Sequence, residues 1–169
     1  MSKHQVEFHE IQRFSQWFIF MPLAGMLAFF ILGLLVQLVE IEALSFLKTQ
    51  TMPWLIGSLV LALVMGLFVS MQLETKADAE GVKVRFKPFH RKFRFYAWHQ
   101  MAVCHVRKYR ALLEYGGWGL RVGTQGWAFT TKGRFGLQLK LQNGDRLLIG
   151  TQKPENLEKF LREKGKWKE

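Results

Sequence analysis

The chain has 169 residues, 49% of them apolar and 22% charged, with 24 Lys+Arg against 13 Asp+Glu. Residues 14–39 and 49–73 carry no Asp, Glu, Lys or Arg, while residues 74–169 hold 21 basic and nine acidic residues, a local net of +12 against +11 for the whole chain. That asymmetry excludes an ordinary soluble globule and a disordered chain, and the single cysteine, Cys104, excludes a disulfide scaffold.

In chain order, residues 1–16 read as a polar N-terminal segment on the cytoplasmic side. Two apolar runs follow, 17–39 and 54–73, which open at Trp17 and Trp54 and have 23 and 20 residues. A bilayer core of about 30 Å needs about 20 helical residues to cross it. A backbone without water must also bond to itself, so each run is predicted to be a transmembrane helix. Buried core helices are the alternative, but the rest of the chain is too short to enclose two helices that are apolar all round. A cleaved signal peptide fits the first run poorly, because the run is too long and has no small-x-small exit. Pro22 lies near its start, where a missing N–H costs least.

The intervening loop 40–53 has one basic residue, Lys48, beside Glu40 and Glu42, whereas Lys3, Arg13, Lys76, Lys83, Arg85 and Lys87 flank the runs on their other side. The excess of cations orients both termini to the cytoplasm and the loop outside. Cys104 then belongs to a reducing compartment, as a small buried hydrophobe. Ser58, Ala62, Gly66 and Ser70 recur every fourth residue and predict a close-packing stripe, with Ala24 and Ala28 as a shorter counterpart. Packing within the hairpin is favoured over dimerisation.

From residue 74 the pattern alternates. Leu73–Ala77 and Val82–Lys87 read as a hairpin, with Val82, Val84 and Phe86 on a core face and Lys83, Arg85 and Lys87 on a positive one. Phe93, Phe95 and Ala97 are predicted inward, against Arg94, Tyr96 and Trp98. Ala102–Tyr109, Leu120–Val122 and Ala128–Thr131 are further strand candidates. Phe135–Gln142 and Asp145–Gln152 flank Asn143-Gly144, a pair that accepts positive φ at both turn positions. Pro154 opens a helix to about Lys164, with Thr151 as a possible N-cap and Leu157, Phe160 and Leu161 as its apolar stripe. About seven short strands and one amphipathic helix describe a β-sandwich or partly open barrel closed by a helix. With at most two residues between the second run and the first strand, the domain is expected to sit on the membrane surface.

The strings FKPFHRKF (86–93), EYGGWGLR (114–121) and GTQKP (150–154), together with the order of elements, resemble those of bacterial pleckstrin-homology-like membrane proteins. The resemblance covers essentially the whole chain. It implies an α+β membrane protein of the bacterial inner membrane, in which a two-helix hairpin leads into a pleckstrin-homology-like barrel over 74–169. It implies no reaction, since the branch it points to carries no assigned activity.

No Gly-x-Ser-x-Gly, His-Glu-x-x-His or phosphate-loop motif occurs, and Gly117-Trp118-Gly119-Leu120-Arg121-Val122 lacks the third glycine of a dinucleotide fingerprint. His4, His9, His90, His99, Cys104 and His105 show no zinc spacing, so neither metal nor cofactor is expected. Glu114, isolated among cations, is expected to pair with Arg121 or Arg110. Two features stand as binding candidates. One is the basic-aromatic tract 85–98, with Arg85, Lys87, Arg91, Lys92, Arg94 and Trp98, whose cations near an anionic leaflet contribute about 1 kcal/mol each. The other is the glycine-rich loop with Trp118 and Arg121; a tight bend with Trp118 tucked into the barrel is the blander reading. The expectation is a non-enzymatic membrane-surface scaffold or sensor that binds partner proteins or itself on an anionic inner leaflet. An anionic-lipid module is the alternative and an unrecognised membrane enzyme a remote one. Nucleic acid is not expected as a partner.

Overall fold

The computed structural model describes residues 8–39, 51–123 and 125–168. The loop residues Glu40, Glu42 and Lys48, and Lys3 and His4, lie outside them. In chain order the elements are β1 (Phe8–Arg13), α1 (Trp17–Val39), α2 (Met52–Ser70), β2 (Gln72–Ala77), β3 (Gly81–Lys87), β4 (Arg94–Ala97), β5 (Met101–Lys108), α3 (Ala111–Tyr115), β6 (Gly119–Gly123), β7 (Gly126–Thr130), β8 (Phe135–Leu141), β9 (Arg146–Thr151) and α4 (Pro154–Glu163). They form two compact units, Ser15–Val69 and the remainder.

The helical unit is a pair of long apolar helices, both candidate membrane spans with no residue of their most apolar windows buried in protein. The second ends at Ser70 rather than Leu73, because Leu73 is a fully buried residue of β2. Helix-to-helix packing differs from the expected stripe. A Cβ at Gly33 would collide with the Trp54 ring and one at Gly57 with the Phe30 ring, so these two glycines admit the aromatics of the facing helix. Phe20 and Phe68 meet edge-on at 6.4 Å. Ser58 is half-buried and donates to the Trp54 carbonyl, but Ala62, Gly66 and Ser70 are exposed, and nothing lies within 4 Å of a Cβ built at Gly66.

The β unit has two sheets, ordered β1-β2-β3-β4 and β5-β8-β9-β7-β6. All pairings are antiparallel except β7 with β9. The first sheet starts with a strand absent from the sequence reading: β1 pairs with β2 from Phe8↔Ala77 to Arg13↔Gln72, so residues 8–14 belong to this unit and not to a separate tail. Leu73, Val82, Val84 and Phe86 bury on one face, as their alternation required, and Lys83, Arg85 and Lys87 stay half-exposed on the other. Leu137, Leu139, Phe129 and Ile149 supply the core of the second sheet.

Polar side chains join the two sheets. Glu10 and Gln12 are 4% and 2% exposed. Thr151 Oγ1 donates to Glu10 Oε2 at 2.6 Å, and the Gln152 N–H to Glu10 Oε1 at 2.8 Å. The Gln12 amide donates to the Gly150 carbonyl and accepts from Thr131 Oγ1. Helix α4 closes the opposite end, with Phe160 against Phe8 and Trp98, each at 6.4 Å, and Leu157 and Leu161 buried beneath it.

Three local readings need correction. Trp98 turns inward at a 3-10 turn, Trp98–Gln100, and its indole N–H donates to the Asp78 carbonyl at 2.9 Å; Phe95 is 47% exposed instead. The β8–β9 hairpin uses Gln142-Asn143-Gly144, with positive φ at Gly144 alone. Asn143 keeps negative φ and binds the Asp145 N–H through Oδ1, giving a three-residue loop instead of a two-residue mirror turn. The N-cap of α4 is Lys153, and Thr151 accepts from its N–H while donating to Glu10.

Glu10→Ala removes one buried and one part-buried bond between the sheets and is expected to cost about 1–3 kcal/mol. Ile11→Ala, at a side chain 51% exposed, is expected to cost little. Thermal unfolding of the detergent-solubilised protein distinguishes the two.

Candidate functional site

Register places the basic residues before any side chain is considered. Arg13, Gln72 and Lys87 align across β1, β2 and β3, at the end of the first sheet where the chain leaves at Phe14 and returns at Met71. The Phe14 N–H donates to the Met71 carbonyl and closes that end. The β3–β4 loop, residues 88–93, hangs from the same end and carries exposed Phe89, Arg91 and Lys92. Half-buried Lys87 and exposed Arg94 flank it.

The loop is packed, not loose. Phe89 stacks on core residue Phe86 at 6.1 Å, and His90 meets Phe129 of the second sheet edge-on at 5.5 Å. Burial, and then the Arg94 cation, hold the His90 imidazole below its ordinary value. The Arg94 guanidinium lies 5.8 Å from the Phe129 ring.

Arg85 belongs to a different group. On the outer face of the first sheet, Arg85, Lys76 and His9 converge on Glu74, a carboxylate 6% exposed. Burial alone would raise this carboxyl, but hydrogen bonds from Arg85, Lys76 and His9 outweigh it and hold the group at about 2. Phe93 lies under both the Arg85 and Lys76 cations, at 4.4 and 5.0 Å. Arg85 is thus a structural cation, and Trp98 is core. Of the tract's cations, those presented outward are Lys87, Arg91, Lys92 and Arg94.

The glycine-rich stretch resolves differently again. Residues 111–115 form α3, which the sequence reading did not anticipate; its five residues are too few to show a helical period. Gly116 ends it with φ +68°, a left-handed cap suited to glycine. Tyr109, Ala111 and Tyr115 pack with Ala128 and Leu148 on the outer face of the second sheet, and half-buried Trp118 covers them. Arg121 is exposed and donates through Nε to the Trp118 carbonyl at 3.2 Å. Glu114 makes the expected ion pair with an Arg, but with Arg107, at 2.7 Å, in place of Arg121 or Arg110, and it also accepts from the Arg110 backbone N–H. Burial opposes ionisation of Glu114, but these donors prevail and lower it.

A groove of about 650 Å³ runs beside α3, lined in part by Tyr109, Arg110, Leu113, Trp118 and Arg134. Cys104 is fully buried, and burial pushes its thiol up to about 12, far from a reactive thiolate. Among the described residues, no three His, Cys, Asp or Glu side chains gather as metal ligands would. No protein-family model and no curated protein matches the chain.

Two pH effects follow, with opposite origins. Glu74, held low in the fold, contributes stability that is complete above about 4.5 and is lost as pH falls from there towards 2. Glu74→Gln is expected to flatten this part of an acid-unfolding profile. His90, whose protonation is disfavoured in the fold by burial and then by the Arg94 cation, weakens the folded state as pH falls through 6.5, because the unfolded chain takes up the proton first. His90→Phe is expected to remove the stability loss between pH 7 and 5, read by Trp fluorescence during denaturant titration.

Proposed function

We propose that the chain is a non-enzymatic integral membrane protein of a bacterial inner membrane, in which a two-helix hairpin holds a pleckstrin-homology-like domain on the cytoplasmic leaflet as a scaffold or sensor. The observation that carries this is the β1–β2 pairing. One strand precedes both apolar helices and the other follows them, so a hairpin that enters a bilayer must come back out on the side it entered. Both helices are long and apolar enough to cross. The positive-inside bias makes the shared side cytoplasmic. Two facing sheets closed at one end by a terminal helix are what a pleckstrin-homology-like domain requires, and they support that reading.

Partner proteins, or a second copy of the chain, are the proposed ligands of the domain. Exposed Val122 and Trp127, opposite one another in β6 and β7, and exposed Phe95 on edge strand β4 provide apolar footholds. The second reading is attachment to anionic lipid. It is favoured by the outward cations Arg91, Lys92 and Arg94 and half-buried Lys87 at the end of the sheet where the chain leaves for the helices. Each contributes about 1 kcal/mol near an anionic leaflet, which suits orientation of a tethered domain better than capture of a free one.

The protein is expected to remain in the membrane pellet after alkaline carbonate washing. A fluorescent reporter fused behind Glu169 is expected to mature, and an export-dependent phosphatase at that position to stay inactive. Extraction by carbonate, or an active phosphatase, overturns the topology. Crosslinking in native membranes is expected to trap a dimer or a heterologous partner; monomer alone, with nothing co-purifying, overturns the scaffold reading.

A further inference from the structure

The most exposed apolar pair on the β unit is unused by anything above. Leu112 and Leu113, consecutive in α3, are 66% and 76% exposed, beyond any other large apolar side chain among the described residues of that unit. Their helix is anchored from beneath by buried Ala111 and Tyr115 and tied by the Arg107–Glu114 pair, so its outward face is held rigidly. Exposed Lys108, Arg110 and Arg134 surround it, and Phe135, 42% exposed, sits opposite Lys108 in the sheet register. The nearby carboxylate, Glu114, is already engaged by Arg107 and the Arg110 backbone.

The position of this cluster follows from hydrogen bonding within the unit. Lys108, Phe135 and Thr151 align at one end of the second sheet. At that end Thr131 and Gly150 bond to Gln12, and Thr151 to Glu10. Gln12 is two residues before Phe14, where the chain departs for α1. The helix α3 therefore follows the end of the second sheet that hydrogen-bonds to β1, the strand that leads into α1.

Resting on the membrane reading above, we propose that α3 is a second, interfacial attachment: Leu112 and Leu113 insert into the acyl–headgroup boundary of the cytoplasmic leaflet, while Lys108, Arg110 and Arg134 meet its anionic head groups. Apolar tips ringed by cations have the composition of an interfacial anchor. The charge favours an anionic leaflet over a protein partner, for which an apolar core with a mixed rim is the usual composition. A five-residue helix has too little apolar area to bind a bilayer by itself, but a tethered domain needs only orientation. The occupant is the leaflet as a surface, and selection among anionic head groups is not required.

The test uses the full-length protein in nanodiscs of phosphatidylcholine with phosphatidylglycerol. Its native Cys104 is buried and stays unlabelled. A fluorophore is placed by Leu113→Cys, by Asn143→Cys at the opposite end of the same sheet, or by Leu32→Cys on the exposed face of α1. Spin-labelled lipid is expected to quench the Leu113→Cys label about threefold or more beyond the Asn143→Cys label, with iodide in water showing the reverse order. Arg110→Glu with Arg134→Glu is expected to remove the difference while circular dichroism stays unchanged. If the Leu32→Cys label is quenched by lipid but the Leu113→Cys label behaves like that of Asn143→Cys, the α3 attachment is overturned and the hairpin stands. If the Leu32→Cys label also escapes lipid quenching, the membrane reading itself has failed.

Discussion

Six register pairs, from Phe8↔Ala77 to Arg13↔Gln72, hold together two segments that are separated in sequence by both apolar helices. That pairing fixes the two ends of the hairpin within one sheet, and it aligns Arg13 with Gln72 and Lys87. It also brings Glu10 and Gln12 to where the second sheet has matching donors and acceptors. A strand that sits before a membrane-type segment yet pairs with the strand after it turns the hairpin into a closed excursion from the sheet. Linker-free attachment follows, since β2 begins two residues after α2 ends.

Charge is managed in two ways on this small unit. The first is internal satisfaction. Glu74 accepts from Arg85, Lys76 and His9 and holds them in place, Asp78 accepts from Lys83 and two turn N–H groups, and Glu114 accepts from Arg107 and the Arg110 backbone. These carboxylates position Arg85, Lys83 and Arg107 as parts of the fold. The second is display: Arg91, Lys92, Arg94, Lys108, Arg110 and Arg134 are exposed. The surplus of +12 is therefore not spread evenly over function. Only the displayed part is available to a partner or a leaflet, which is why deletion of Arg85 and deletion of Arg91 are different experiments.

Buried polar contact between the sheets gives the unit a specificity that an all-apolar interface would lack. Glu10 and Gln12 reach Thr151, Gln152, Gly150 and Thr131, and these bonds are directional where Leu–Leu packing is not. They favour one register of β1 over its neighbours, because a slip by one residue would put His9 and Ile11 inward instead. Apolar closure is left to the opposite end, where Phe8, Trp98 and Phe160 meet.

The apolar helices, the β3 alternation, the Asn-Gly hairpin and the amphipathic α4 were all legible in the sequence, because each is encoded by a local period or a local turn residue. Strand β1 was not, since its buried face carries Glu10 and Gln12 and its exposed face carries Ile11, the reverse of what burial by polarity predicts. The roles of Trp98 and Arg85 were equally hidden, since each depends on a partner distant along the chain or on a turn that reverses side-chain parity, whereas the ion pair of Glu114 with an Arg was legible and only its partner, Arg107, was not. Helix α3 is shorter than one useful period, so its exposed leucines gave no signal. By itself the sequence determined which segments are greasy, which are cationic and where the chain must turn, since those are properties of neighbours along the chain. Only the tertiary structure decided which cations are committed to the fold and which face outward, because that depends on carboxylates, rings and carbonyls brought together across the two sheets.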